Sequence, residues 1–150
     1  MSRTVIAFII LIVLVLIGAL AWMLTRPGAG PVPDQSARLD SPYWTSDDRL
    51  VDIDGVMTRV RSEGPADAPV ILMVHGFSYS LESWDAWAED LRADYRVIRL
   101  DLPGHGLTGP DPQQRYSVPQ TVNFLGALLD ELGLDHVTLA GNSLGGLVSW

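Results

Sequence analysis

Three short aliphatic runs, separated by longer segments of helical periodicity, constrain the fold of this chain more than any other feature. The runs are Val70–Val74, Arg96–Leu100 and Val137–Ala140. They are rich in β-branched and aliphatic residues, as is typical of parallel strands covered on both faces. The segments between them, Leu81–Ala93 and Val118–Leu132, carry apolar residues at helical spacing. This alternation predicts an α/β fold with an open, mainly parallel central sheet and helices on both faces.

Two further strands are predicted ahead of these runs. Arg49–Ile53 and Val56–Arg61 flank an Asp-Gly dipeptide, which supplies the positive φ angles of a tight hairpin. In the first helical segment, Trp84 and Trp87 are expected to contact the core. In the second, helical spacing predicts one buried face formed by Val122, Leu125, Leu128, Leu129 and Leu132.

The N-terminal region has a different character. Val5–Leu24 is a run of twenty residues without a charge. As a helix it would be about 30 Å long, which matches the hydrocarbon core of a bilayer. We therefore predict a transmembrane anchor within residues 1–26. The alternative is a cleaved signal peptide, because Arg3 precedes the run and a small-x-small site lies at Ala19–Ala21. The apolar run continues past that site, which favours the anchor.

The remaining chain is predicted to divide into a linker and a soluble domain. Residues 27–45 contain four Pro and little apolar periodicity, which indicates an extended linker. Residues 46–150 form the folded domain. The few charges flanking the apolar run encode orientation weakly, and we place the domain on the non-cytoplasmic side of the membrane.

Composition excludes several functions. The chain has ten Arg, no Lys and eighteen acidic residues, for a formal net charge of −8. With no basic cluster, it lacks the positive surface that nucleic-acid binding requires. The absence of Cys excludes disulfides, thiol catalysis and Cys-ligated metal sites. No cofactor or metal is expected.

A motif with chemical meaning follows the last predicted strand. The sequence GNSLGG begins at Gly141 and matches G-x-S-x-G at a strand-to-helix turn. A sharp turn there would lift the Ser143 hydroxyl clear of the sheet, and it tolerates only small neighbours, here Gly141 and Gly145. The Leu144 N–H could then donate to a developing oxyanion. The alternative is a glycine-rich turn carrying a solvated serine.

Two more glycine-containing sequences follow the other strands. In His75-Gly76-Phe77, the glycine would let the chain bend back so that the Phe77 N–H points into the crevice, although an ordinary loop with His75 bonded to nearby backbone is the alternative. The sequence DLPGHG, which starts at Asp101, is predicted to be structural. There Asp101 and His105 would cap backbone groups of a rigid loop.

Together these three motifs resemble the α/β-hydrolase superfamily, in the branch with HGF, DLPGHG and GNSLGG after successive strands, over Leu50–Trp150. The resemblance implies Ser143 as the nucleophile and the amides of Phe77 and Leu144 as the oxyanion hole. His75, Gly76, Gly141 and Gly145 would support the turns. Dehalogenases and epoxide hydrolases of this fold carry Asp where this chain has Ser143, so they fit less well.

The resemblance also implies residues that this sequence does not contain. Family members follow the order Ser, acid, His, yet only LGGLVSW follows Ser143. We therefore expect an N-terminal fragment that is inactive alone. The predicted activity of the whole protein is hydrolysis of a small-molecule carboxylic ester, with a carbon–carbon bond hydrolase of the same fold as the alternative. If the protein ended at Trp150, a non-catalytic, membrane-tethered binding module would be the remaining alternative.

Overall fold

A computed structural model describes residues 12–18, 20–21 and 34–149. The chain divides into two units, Met1–Val32 and Pro33–Trp150. In the second unit the strands are β1 (Asp48–Ile53), β2 (Val56–Glu63), β3 (Val70–Val74), β4 (Arg96–Leu100) and β5 (Thr138–Gly141). The helices are α1 (Gln35–Leu39), a 3-10 turn (Leu81–Trp84) that continues into α2 (Asp85–Leu91), α3 (Val118–Leu132) and α4 (Leu144–Val148).

The strands form one mixed sheet in the order β1-β2-β4-β3-β5. The prediction of a mainly parallel sheet is wrong for the described residues, because the hairpin makes two of the four strand pairings antiparallel. The predicted hairpin is present, since β1 and β2 pair antiparallel, and β2 pairs antiparallel with β4. Strand β3 lies between two parallel neighbours, with Val74 opposite Leu100 on one side and Gly141 on the other. The carboxyl ends of β4, β3 and β5 are therefore level at one edge of the sheet.

Helices cover both faces of the sheet, as predicted. On one face, β3 and β4 contribute Leu72, Val74, Ile98 and Leu100 to a core that also contains Phe124, Leu125 and Leu128 of α3 and Val148 of α4. On the other face, Met73 and Val97 pack with Ala88 of α2. Neighbouring residues of one strand thus enter different cores, because successive side chains point to opposite faces.

The sequence pattern predicts the bounds of α3 correctly, but it does not predict correctly which of its residues are buried. Helix α3 has the predicted bounds, and its side chain at Gln120 accepts a hydrogen bond from the Ser117 N–H at 3.1 Å. Val122 was wrongly placed in the core. It is exposed, since the buried face includes Phe124, which lies about 200° around the helix from it.

The prediction for Trp87 was also wrong. This side chain is 62% exposed, whereas Trp84 is partly buried against the second core. The 3-10 turn ends at Trp84, and in the α-helix that follows the inward positions belong to Ala88 and Leu91. Trp87 is displaced by about 100° from its neighbour Ala88 and so points to solvent.

The described part of the N-terminal unit is short. Residues 12–18, 20 and 21 are helical, with exposed side chains. Among the described residues, no helix has the length and hydropathy needed to cross a membrane. Residues 5–11, 19 and 22–24 of the predicted anchor lie outside the described residues, as does the start of the predicted linker up to residue 33. The rest of that linker contains helix α1, capped by Asp34, whose carboxylate accepts from the Ala37 N–H at 3.0 Å.

Candidate active site

The three motifs singled out in the sequence lie at the same edge of the sheet. Each follows the carboxyl end of β3, β4 or β5. The connection from β3 leads to β4 on one side, whereas the connection from β4 passes over β3 to β5 on the other side. A crevice outside the carboxyl ends of the strands, where the order reverses, is the usual binding site in open α/β sheets. The topology therefore selects this edge as the candidate site.

Ser143 occupies a strained turn at the end of β5. Its φ of 53° and ψ of −114° lie outside the regions that non-glycine residues favour. Helix α4 begins at the next residue, and the Gly145 N–H donates to the Asn142 carbonyl at 2.9 Å. Strain of this kind costs about 1–3 kcal/mol and persists only where the surrounding structure enforces it. The Ser143 side chain is left exposed above the sheet.

Close packing at Gly145 holds this turn against β3. A Cβ atom at Gly145 would lie 2.0 Å from the Val74 carbonyl oxygen, and one at Gly141 would lie 2.4 Å from the Gly145 carbonyl oxygen. The Asn142 N–H also donates to the Val74 carbonyl, at 3.2 Å. The predicted requirement for small residues on both sides of Ser143 therefore has a direct steric cause.

The turn after β3 faces Ser143. Gly76 is buried, and a Cβ atom on it would lie 3.3 Å from Cβ of Ser143 and 3.2 Å from the Asn142 carbonyl oxygen. The Phe77 side chain is 69% exposed. Within the described residues, neither the Phe77 N–H nor the Leu144 N–H donates to another protein atom. The structure thus brings the two predicted oxyanion donors to the same edge as Ser143.

His75 connects two of the loops. Its Nδ1 lies 2.7 Å from the Gly76 carbonyl oxygen, and its Nε2 accepts from the Leu102 N–H at 3.0 Å. These partners require a proton on Nδ1 and none on Nε2, so the ring is neutral. Burial lowers the pKa of His75 below 6.5. His75 therefore supports the turn, and both of its ring nitrogens are occupied.

Asp101 organises the loop after β4, as the sequence indicated. Its buried carboxylate accepts from the Leu81 N–H and the Leu107 N–H, both at 2.8 Å. At Gly106, with a φ of 48°, a Cβ atom would lie 2.2 Å from Oδ2 of Asp101. The loop therefore closes around the carboxylate and leaves it no role in chemistry with Ser143.

A buried charge network beneath this loop was not found by sequence reasoning. Arg59 is fully buried and contacts Asp48 at 2.9 Å, Glu82 at 2.8 Å and Asp101 at 3.3 Å. Arg61 donates to the same Asp48 at 2.8 Å. Burial alone would raise the pKa of Asp48, but the hydrogen bonds from Arg61 and Arg59 outweigh it and lower that pKa. The network ties the hairpin to the loop of the candidate site.

A cavity of about 480 Å³ opens beside the two proposed oxyanion residues. Its walls come from the turn after β3, the loop after β4, the segment before α3, α3 itself and the start of α4. Ser143 is not among the lining residues. Lining residues from these elements include Phe77, Pro103, His105, Tyr116, Phe124 and Leu144. The His105 ring packs edge to face on Phe77, with centroids 5.6 Å apart. The volume lies within the usual range for small-molecule sites.

The three histidines of the chain differ in their availability as a base for Ser143. Both ring nitrogens of His75 are engaged, whereas His105 uses only Nδ1, which lies 3.1 Å from the Pro103 carbonyl oxygen within its own loop. His136 precedes β5, at the opposite end of that strand from Ser143. Among the described residues, no group of His, Asp or Glu side chains is arranged to hold a metal ion.

A strand-to-helix turn with a strained serine faces a glycine turn at the carboxyl ends of the parallel strands of a mixed sheet, and this arrangement defines a hydrolase-type α/β protein. Comparison with known families agrees. Residues 69–150 match the alpha/beta hydrolase fold family, and the chain belongs to that family.

Relatives within the family have diverse names. Human epoxide hydrolase 4 is 30% identical over 141 residues, which cover 87% of this chain and 38% of that protein. The dihydrolipoyllysine-residue acetyltransferase component of the acetoin cleaving system of Cupriavidus necator is 33% identical over 101 residues, covering 67% of this chain and 26% of that protein. An epoxide hydrolase structure from Vigna radiata aligns with a TM-score of 0.63 at 32% identity, over 69% of this chain and 33% of that one. The chain thus spans about a third of the length of the relatives it matches.

Proposed function

We propose that the protein is a serine hydrolase that cleaves a carboxylic ester, with Ser143 as the nucleophile. The observation that carries this proposal is the strained Ser143 backbone, with φ of 53°, placed opposite the Gly76 turn. The strain is maintained by glycine contacts on both sides, which indicates that the position of the hydroxyl matters. The amides of Phe77 and Leu144 are proposed to stabilise the oxyanion.

The proton of Ser143 requires a base. Both ring nitrogens of His75 are engaged, His136 precedes β5 at the end away from Ser143, and Nδ1 of His105 is bonded within its own loop. We propose that the base and its acidic partner belong to the full-length protein, because the chain spans about a third of the length of the relatives it matches. Ser143 would attack the carbonyl carbon and the base would accept its proton. The ester C–O bond would then break, and the base would return the proton to the leaving alcohol. Water, activated by the same base, would later release the acyl group as a carboxylic acid.

The identity of the nucleophile also bears on the epoxide hydrolases among the relatives. A carboxylate that opens an epoxide forms an ester, and water can hydrolyse that ester. A serine hydroxyl that opened the same ring would form an ether, which has no carbonyl for water to attack. Ser143 therefore favours acyl transfer over epoxide opening.

Ser143→Ala tests the proposal. In the full-length protein we expect kcat/KM for p-nitrophenyl esters to fall by about 10³-fold or more, with the unfolding free energy close to that of the parent protein. Labelling by a fluorophosphonate probe should be lost. Ser83→Ala, which removes an exposed hydroxyl from the surface, is the control and should retain labelling. Unchanged turnover in Ser143→Ala would refute the assignment.

The same assays separate the alternatives. A carbon–carbon bond hydrolase, suggested by the GNSLGG sequence, should be slow on simple esters and fast on vinylogous diketones. A non-catalytic binding module should hydrolyse neither substrate and should resist the probe, while it still binds small molecules in the cavity.

For the N-terminal region we propose a membrane anchor formed by Val5–Leu24, with the hydrolase domain on the non-cytoplasmic side. Support comes from its length and from the absence of charge over twenty residues. The protein should resist alkaline carbonate extraction, and the domain should be cleaved by protease added to intact spheroplasts. Release into the soluble fraction with a new N-terminus at Trp22 would favour the signal peptide, and protection from protease would reverse the orientation.

A further inference from the structure

The cavity beside Phe77 and Leu144 has an unusual arrangement of its polar groups. Among its lining residues, Arg115 is the only one with a permanent charge. Ser78, Tyr116 and Thr121 bring hydroxyl groups to the wall, and His105 brings an imidazole ring. What the cavity can bind depends on whether these groups are available. The inference below rests on the proposed function, because it takes the cavity to be part of the site at which Ser143 cleaves the ester.

Arg115 is held by a neighbouring carboxylate. Its Nε donates to Oδ2 of Asp111 at 2.6 Å. Its Nη2 donates to Oδ1 of Asp111 at 3.3 Å and to the Asp54 carbonyl oxygen at 3.0 Å. The Asp111 side chain is 2% exposed. The hydrogen bond from Arg115 lowers the pKa of Asp111, so the carboxylate keeps its charge at neutral pH and balances that of Arg115.

Two of the three hydroxyl groups, those of Tyr116 and Thr121, are also engaged with the protein. The Tyr116 hydroxyl oxygen accepts from the Asp111 N–H at 2.9 Å, which draws the polar end of the ring to the same carboxylate residue. The Thr121 hydroxyl donates to the Ser117 carbonyl at 3.1 Å, one turn back on α3. The remaining wall includes Leu102, Pro103 and Phe124. Apart from the exposed Ser78 hydroxyl and the His105 ring, the cavity thus presents aromatic and aliphatic surface, and its wall carries no unpaired charge.

We propose that this cavity binds the uncharged, ring-bearing apolar group of the ester substrate, and that Asp111 sets this preference by neutralising Arg115. Transfer of an apolar group from water to such a wall is favourable, because it removes apolar surface from water. A carboxylate on the same group would lose its hydration and find Arg115 already paired, so it would be excluded. The apolar group could be on the acyl or on the alcohol side of the scissile bond.

Two adjacent positions on α3 test where the group binds. Thr121 lines the cavity, whereas Val122 beside it is exposed and does not. In the full-length protein, Thr121→Trp should fill the cavity. It should lower kcat/KM for p-nitrophenyl phenylacetate about tenfold more than for p-nitrophenyl acetate, if the ring is on the acyl side. On the alcohol side, the same selective loss should appear for 2-naphthyl acetate relative to methyl acetate. Val122→Trp should change neither ratio, and equal ratios in both variants would overturn the proposal.

Charge selectivity provides the second test. Asp111→Asn leaves Arg115 without its counter-charge, so kcat/KM for mono-p-nitrophenyl glutarate relative to p-nitrophenyl pentanoate should rise about tenfold. Asp111→Asn combined with Arg115→Met removes both charges and should keep this ratio within about twofold of the parent protein. A tenfold fall in the double variant would show that Arg115 binds the carboxylate in the parent protein, which contradicts the proposal.

Failure of this proposal and failure of the serine mechanism give different results. Fluorophosphonate labelling of Ser143 reports the mechanism, whereas binding of 2-acetylnaphthalene to Ser143→Ala reports the cavity without turnover. If Ser143 is labelled normally but Thr121→Trp and Val122→Trp, each added to Ser143→Ala, bind the ketone equally, only the cavity assignment is rejected. If Ser143 is not labelled but Thr121→Trp weakens ketone binding and Val122→Trp does not, only the nucleophile assignment is rejected.

Discussion

Two glycine-to-alanine substitutions, both in helices, should have opposite effects on stability, and only the one at the candidate site should reduce activity. Gly145 lies in α4 at the candidate site, and Gly126 lies in the exposed middle of α3. A Cβ atom at Gly126 would meet nothing within 4 Å. Alanine is the better helix former by about 0.5–1 kcal/mol, so Gly126→Ala should raise the free energy of unfolding by that amount.

At Gly145 the same methyl group has no space. It would lie 2.0 Å from the Val74 carbonyl oxygen, 2.6 Å from its carbonyl carbon and 2.8 Å from the His75 carbonyl oxygen. All three atoms are backbone, so none can rotate away as a side chain could. Helix α4 would have to move from β3 by about 1 Å, and overpacking of this severity costs about 3 kcal/mol. The helix gain offsets only a small part of this loss.

The same movement should reduce activity, because it separates the Leu144 N–H from the turn that carries the Phe77 N–H. A displacement of about 1 Å at a catalytic group can cost about 10²-fold in rate. Urea unfolding of both variants, with kcat/KM for a p-nitrophenyl ester measured on the folded fraction, tests both effects. If Gly145→Ala unfolds within 1 kcal/mol of Gly126→Ala and keeps full activity, the steric explanation of this turn is wrong.

The remaining predictions concern buried polar groups. The neutral ring of His75, with its lowered pKa, contributes stability that is present above about pH 6.5 and is lost as the pH falls through the lower pKa of the folded state, because the unfolded chain then binds more protons. His75→Gln should therefore flatten the fall in unfolding free energy between pH 7 and pH 5, and His136→Gln, at an exposed position, should leave it unchanged; equal slopes in both would contradict this. Asp101→Ala leaves two backbone N–H groups and part of the Arg59 charge without a partner, so urea unfolding should show a loss of about 3–5 kcal/mol. A loss below about 1 kcal/mol would show that water or a side-chain movement replaces the carboxylate.

The parts of the fold that sequence could predict are those determined by local pattern. The strands β3 and β4 have the predicted bounds because each is a short run of mainly aliphatic residues. Helix α3 begins directly after its N-cap Ser117 and has Pro119 in its first turn. The three glycine motifs were located for the same reason, since a glycine in such a turn reflects a backbone requirement within a few residues. Trp87 could not be placed this way, because its orientation depends on where a 3-10 turn gives way to an α-helix.

The charged network and the cavity depend on contacts between distant segments, and no local pattern reveals them. Arg59 lies on the same face of β2 as Arg61 and Glu63, so the sequence would place it at the surface of a hairpin strand. Its partners lie 11, 23 and 42 residues away in sequence, at Asp48, Glu82 and Asp101. Only the pairing of β2 with β4 buries this arginine under the loop that carries the candidate site. The sequence indicates only that such partners are needed. Asp48, Arg59 and Arg61 are charged residues in or beside predicted strands, and a buried charge is stable only when it is paired.

The network also explains how a strained serine can be maintained at the edge of a small sheet. The turn at Ser143 rests on Val74 and His75, His75 bonds to Leu102, and the loop containing Leu102 closes around Asp101. Asp101 in turn contacts Arg59, which is fixed by Asp48 in the hairpin. Each link is a buried hydrogen bond, an ion pair or a backbone contact with no freedom to rotate, so strain at one end is opposed by the stability of the whole sheet. We therefore expect that removal of the Asp48 carboxylate, which fixes Arg59 in the hairpin, weakens the support of the strained Ser143 turn without a direct contact between the two residues.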